Sequence, residues 1–129
     1  MNWKYVKPLI NTNVISDFET QNKIALPQDL KDVIMAYNGG RPSLRFYDLP
    51  GTKDKELKTL LSYNPDDLET VYKHYPLFQY MRSIVPFAVD PAGNLLVIDT
   101  GKVFFWDHET DELTFVADTF SAFLQMLHE

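Results

Sequence analysis

The sequence predicts an α+β fold, with a central, mostly antiparallel sheet and helices flanking it at the N- and C-terminal ends. Three observations predict it. Residues 84–117 hold four short apolar runs separated by turn signals. Residues 27–38 and 119–127 each carry apolar side chains at helical spacing. The 129 residues are 45% hydrophobic and 23% charged, a globular mix. That length suits one domain spanning 1–129. A chain of this size buries roughly two thirds of its unfolded surface, enough for a core without covalent staples.

Val14, Ile15 and Phe18 predict a helix over 13–22, with Thr12 or Asn13 as its cap. Pro27 suits the first position of a second helix. Leu30, Val33, Ile34 and Tyr37 form its stripe at i, i+3, i+4 and i+7. Asn38-Gly39 ends that helix, so Gly39 or Gly40 is expected to take a positive φ. Residues 44–49 read as a strand closed by Pro50-Gly51. Leu57, Leu60 and Leu61 suggest a short helix over 54–62. Asn64-Pro65 suggests another through Leu68, Val71 and Tyr72. Residues 75–83 give no readable pattern.

The meander follows. Its runs are 84–89, 95–99, 103–107 and 112–117. They are separated by Asp90-Pro91-Ala92-Gly93-Asn94, Thr100-Gly101-Lys102 and His108-Glu109-Thr110-Asp111, connections short enough for hairpins. Asp118 or Thr119 then caps a last helix with Phe120, Phe123, Leu124 and Leu127 along one side. The helices are expected to cover one face of the sheet.

The chain has no cysteine, so disulfides and thiolate metal sites are excluded. Lys4, Lys7, Asn11 and Asn13 interrupt the N-terminus, and no apolar run approaches membrane-spanning length. A cytoplasmic protein is expected. The formal net charge is −6, unevenly spread. Residues 84–129 carry eight acids against Lys102 alone, a net −7, and residues 1–83 carry a net +1. Such a C-terminal part repels nucleic acid and attracts a basic protein surface. Acidic turns also keep sheet edges from aggregating.

No catalytic or cofactor motif stands out. His74, His108 and His128 lack a ligand-loop pattern. No serine lies in a nucleophile elbow. Gly39-Gly40 follows a helix instead of preceding one, the wrong dipole end for a phosphate. No enzyme activity, metal or cofactor is expected. Trp106 has two open readings, a core residue or an exposed aromatic anchor.

Leu26-Pro27 opens one helix, and Tyr37-Asn38-Gly39-Gly40 ends it. Pro86-Phe87-Ala88-Val89-Asp90, Gly93-Asn94-Leu95, Phe105-Trp106-Asp107-His108 and a final helix containing Phe120 follow in that order. Together these words resemble the SUKH superfamily, whose founding members include a yeast cell-wall assembly regulator. The resemblance spans about residues 12–128 and carries no recognisable word in 53–83. It implies a sheet flanked by helices, with no shared catalytic residue or cofactor. The bacterial branch is similar to immunity proteins that neutralise toxins, many of them nucleases. The expected function is therefore binding and occlusion of a cognate toxin domain with a basic surface. The alternative is a regulatory or scaffolding module without a toxin. Asp99, Asp107, Glu109, Asp111 and Glu112 are the candidate partner-binding residues, with 53–83 as a second candidate surface.

Overall fold

A computed structural model describes residues 1–81 and 83–129. Arg82, within the unreadable stretch 75–83, lies outside the described residues. Helix α1 (Val14–Asn22) buries Val14, Ile15 and Phe18, as their spacing predicts. Asn13 holds the cap position, but its side chain makes no capping bond. Helix α2 (Gln28–Tyr37) starts one residue later than expected, because Pro27 (ψ 143°) is the extended residue before it. Leu30 and Ile34 are buried, and Val33 is half-buried. Tyr37 leaves the stripe to stack on Trp3, with ring centroids 5.3 Å apart.

The end of α2 is built as predicted. Gly39 has φ +68°, and the Gly40 N–H donates to the Tyr37 carbonyl at 2.8 Å. This is the geometry of a type II turn, which needs glycine at its third residue. Gly40 is fixed for another reason: a Cβ there would lie 2.8 Å from the Tyr37 carbonyl oxygen. Asn38 is buried inside the turn. Its Nδ2 donates to the Lys7 carbonyl at 2.8 Å and to Ser62 Oγ at 2.9 Å. Its Oδ1 accepts the Tyr63 N–H at 2.8 Å. One side chain thus ties together three distant segments.

Strand β1 (Trp3–Lys4) pairs with β2 (Arg41–Pro42), and β3 (Phe46–Leu49) forms a hairpin with β4 (Thr52–Glu56). The helix expected over 54–62 is not there. Residues 52–56 are strand, and β5 (Thr59–Leu60) joins the main sheet. Leu57, Leu60 and Leu61 are buried, so their spacing signalled the core and not a helix. Backbone pairing decides the outcome, with the Leu57 N–H donating to Arg45 and the Leu61 N–H to Phe87. The helix expected from Asn64 shrinks to α3 (Val71–His74), capped by Thr70 Oγ1 accepting from Lys73. Asn64 instead turns toward the N-terminal segment, accepting the Ile10 N–H and donating to the Pro8 carbonyl. A 3-10 turn spans Tyr75–Leu77.

The meander is present as predicted: β6 (Ile84–Val89), β7 (Leu95–Asp99), β8 (Lys102–Trp106) and β9 (Leu113–Ala117). The five-stranded sheet has the order β5-β6-β7-β8-β9, all neighbours antiparallel. Helix α4 (Phe120–Met126) follows, with Thr119 Oγ1 accepting from the Ala122 N–H at 2.9 Å. Phe120 and Phe123 press edge-on against Phe87, and Phe123 also against Tyr47.

Helices do not keep to one face of this sheet. Phe87, Leu96 and Phe105 look toward α4 and the β3–β4 hairpin, where Lys55 Nζ lies 4.3 Å from the Phe105 ring centroid. On the other face α3 packs on β6, and Phe78 meets Trp106 edge-on at 5.1 Å. All six residues of β6 are consequently buried. Burial also pushes the Tyr47 and Tyr63 phenols far above their ordinary range, and neither hydroxyl has a protein partner among the described residues.

Two substitutions separate satisfied from unsatisfied burial. Asn38→Ala strands the Tyr63 N–H and the Lys7 carbonyl and is expected to cost about 3 kcal/mol in urea unfolding. Tyr63→Phe removes a hydroxyl without a partner, so its stability is expected to stay within about 1 kcal/mol of the parent.

Candidate functional site

The β8–β9 hairpin and the sheet face beside it hold the candidate residues. The hairpin is built by its own carboxylates. Asp107 Oδ1 accepts the Glu109 N–H at 2.8 Å, and the Asp107 N–H donates to the Glu112 carbonyl at 3.0 Å. Asp111 has φ +61°, a conformation that Asp tolerates better than most residues. Its Oδ1 accepts the buried Trp106 indole N–H at 2.7 Å. Trp106 is therefore a core residue with a satisfied polar handle, which closes the question its alternation left open.

The neighbouring turn is tied to this hairpin. Asn94 Nδ2 donates to Asp90 at 3.0 Å, and its Oδ1 accepts from the His108 backbone at 3.1 Å and from His108 Nδ1 at 2.6 Å. That acceptor makes Nδ1 the protonated ring nitrogen. Asp90, Asp107, Glu109, Asp111 and Glu112 are thus gathered at one end of the sheet. None of them has a Lys or Arg within ion-pair distance among the described residues.

Asp99 is not with them. It pairs with Lys102 at the opposite end of β7 and β8, where Lys102 Nζ reaches Asp118 at 3.4 Å. The register nevertheless puts Asp99 on the same face as Phe104 and Trp106, because alternate residues share a face. Between the two acidic ends lies an apolar strip. Phe104 and Phe115 pack edge-on at 5.9 Å, and Phe115 is 48% and Leu113 40% exposed. Leaving both side chains half in water forgoes about 1 kcal/mol each of burial. The cover on this face thins over β8 and β9. Composition alone did not reveal the strip, since Phe115 and Leu113 read as ordinary strand residues; the missing signal is which face α3 reaches.

The opposite edge of the sheet has the opposite charge. A cleft of about 190 Å³ beside β5 is lined by Lys7, Arg41 and Lys58, with the Arg41 guanidinium 5.2 Å from the Tyr5 ring centroid. The second candidate surface, 53–83, contributes to this cleft and to the cover of β6, and it exposes Leu68 and Tyr80.

One group has the composition of a cation site. Asp48, Asp54 and His128 bring their ligand atoms within 4.8 Å of one another. Their contacts fit an ion-pair latch: His128 Nε2 lies 3.2 Å from Asp48 and 3.7 Å from Asp54. The chain end is held there by mutual backbone hydrogen bonds between His128 and Phe46. Hydrogen bonds to the Glu129 carbonyl and to Asp48 hold the His128 imidazole above its ordinary value. The Asp54 N–H and His128 hold Asp48 below the usual carboxylate range.

These features define an α+β domain with an acidic sheet end and a half-covered strand pair. The chain belongs to the SMI1 / KNR4 family (SUKH-1), whose profile matches residues 9–126. It is also similar to the SPbeta prophage-derived uncharacterized protein YokK of Bacillus subtilis (strain 168). The two are 27% identical over 149 aligned positions, covering 91% of this chain and 74% of that one. Among the described residues, no helix is long and apolar enough to cross a membrane.

Asp111→Ala should strand the Trp106 indole N–H and cost about 1–2 kcal/mol, with a change in tryptophan emission. Glu112→Gln, in the same turn, should leave stability unchanged within about 0.5 kcal/mol. For the latch, NMR titration should place His128 above the ordinary histidine value, and Asp48→Asn should lower it. Since the folded state raises this pKa, the stabilisation is complete below about pH 6.5 and fades as pH rises through the folded value.

Proposed function

We propose that this protein is an immunity protein that binds a cognate bacterial toxin domain and neutralises it by occlusion. It acts in the cytoplasm, without catalysis or a cofactor of its own. Membership of the SUKH-1 family supports the reading, and so does the likeness to a prophage-derived protein. The observation that carries it is the β8–β9 region, where turn carboxylates with no Lys or Arg partner among the described residues lie beside an exposed apolar strip.

The physical logic runs from charge to encounter to contact. A nuclease cleft is basic because it holds phosphates. An acidic surface approaches it faster than diffusion between neutral patches allows. The apolar strip then supplies what charge at the rim does not, a desolvated centre that slows dissociation. In this reading Asp107 and Asp111 shape the hairpin, Glu109 and Glu112 steer from its tip, and Asp99 steers from the other end of the strip. An uncharacterised partner of regulatory type would use the same surface but would confer no protection.

The test is coexpression with the product of the reading frame beside the gene, expected to carry a toxin domain. The expected result is restored growth and a stable complex. Growth arrest despite soluble expression of both proteins would contradict the proposal. Within the complex, Glu109→Gln with Glu112→Gln should slow association about tenfold at low salt and change dissociation less than about twofold. That difference should shrink as the screening length falls to about 8 Å at physiological salt. Equal rates for the double variant and the parent at low salt would remove the steering role.

A further inference from the structure

We infer that β9 is a strand-addition site that accepts an extended, basic segment of the partner protein. The partner's identity rests on the proposed function, but the geometry of the contact does not. The sheet order leaves β9 at one edge, with β8 as its neighbour in the sheet. The other edge is closed, because β5 has two residues and the Leu60 N–H already donates to the Gly40 carbonyl at 2.9 Å.

The ladder shows which groups β9 offers. Asp107 and Glu112 form a hydrogen-bonded position, so by antiparallel alternation Thr114 also bonds inward to Phe105. The backbone N–H and C=O groups of Leu113 and Phe115 then point outward. No hydrogen bond from outside the sheet reaches them among the described residues. The same two residues carry the exposed apolar side chains. An added strand would therefore gain ladder bonds and side-chain cover at the same positions.

Natural sheets blunt such an edge with Lys, Pro or inward charge. The run Leu113-Thr114-Phe115-Val116-Ala117 has none of these. Its protection is a register shift opposite Val103 and Phe104, which bends the C-terminal end of the strand, and the acids at its ends, Asp111 and Glu112 on one side and Asp118 on the other. Those acids also choose the occupant. Two copies pairing β9 to β9 antiparallel would set Glu112 of one copy against Asp118 of the other, like against like. A segment with lysines or arginines flanking an apolar centre meets opposite charge at both ends.

The probe is a short peptide with a valine and threonine centre flanked by lysines, titrated into the full chain and followed by NMR and by fluorescence anisotropy. Its control is the same peptide N-methylated on alternate backbone nitrogens, which keeps charge and side chains but cannot complete a ladder. The expected result is amide shifts confined to residues 112–118, with affinity at least tenfold weaker for the methylated peptide. Phe115→Lys should weaken binding by a similar factor. Phe115→Ala, which adds no charge, should weaken it less while keeping the native spectrum. Equal affinity for both peptides would overturn the inference, since charge alone would then account for binding. Shifts centred on the helices or on the β5 cleft would also overturn it. So would a dimer of the free protein with β9 amides already protected, because the occupant would then be a second copy. Peptide failure with growth protection intact removes strand addition and leaves the immunity proposal. Peptide binding without protection does the reverse.

Discussion

The burial of β6 on both faces is the constraint on which the rest of the molecule depends. A strand with no polar face needs a layer on each side. Phe87 draws α4 against one face through Phe120 and Phe123. Val71, Tyr75 and Phe78 form the cover of the other, where α3 and the 3-10 turn lie. The second layer is short, four helical residues and a turn, so it reaches Trp106 and goes no further. Coverage therefore ends between Trp106 and Phe115.

Where coverage ends, the surface becomes useful. An apolar strip beside a set of carboxylates is a poor way to stabilise an isolated chain, because the strip stays half in water and like charges repel. Both costs would fall against the basic partner proposed above. The charge is also polarised across the sheet, with Lys7, Arg41 and Lys58 near the β5 edge and the acids at the β8–β9 end. Such an arrangement would orient the proposed partner as well as attract it.

Much of this was legible in the sequence. The meander was, because its turns are marked by Gly93, Gly101 and the acidic hairpin, and each run has strand length. The end of α2 was, because Asn38-Gly39-Gly40 permits little else. The stretch 52–77 was not. Leu57, Leu60 and Leu61 have helical spacing, yet their backbone N–H groups donate to Arg45, Gly40 and Phe87, partners set by tertiary contacts that no local pattern encodes. For the candidate site, the acids were visible as a charge excess. Their division was not, since Asp99 and the 107–112 turn separate only once the β7–β8 register is known. The exposure of Leu113 and Phe115 depends on how far α3 reaches, which is a property of packing.

Native-state hydrogen exchange on the free protein tests this account most directly. If two-sided burial of β6 organises the fold, the inward-bonded amides of β6 and β7 should exchange only through global unfolding. The outward amides of Leu113 and Phe115 should exchange freely, at a rate near that of an unprotected chain. Protection of Leu113 and Phe115 equal to that of β6 would contradict the account, because the β9 edge would then be covered before any partner arrives.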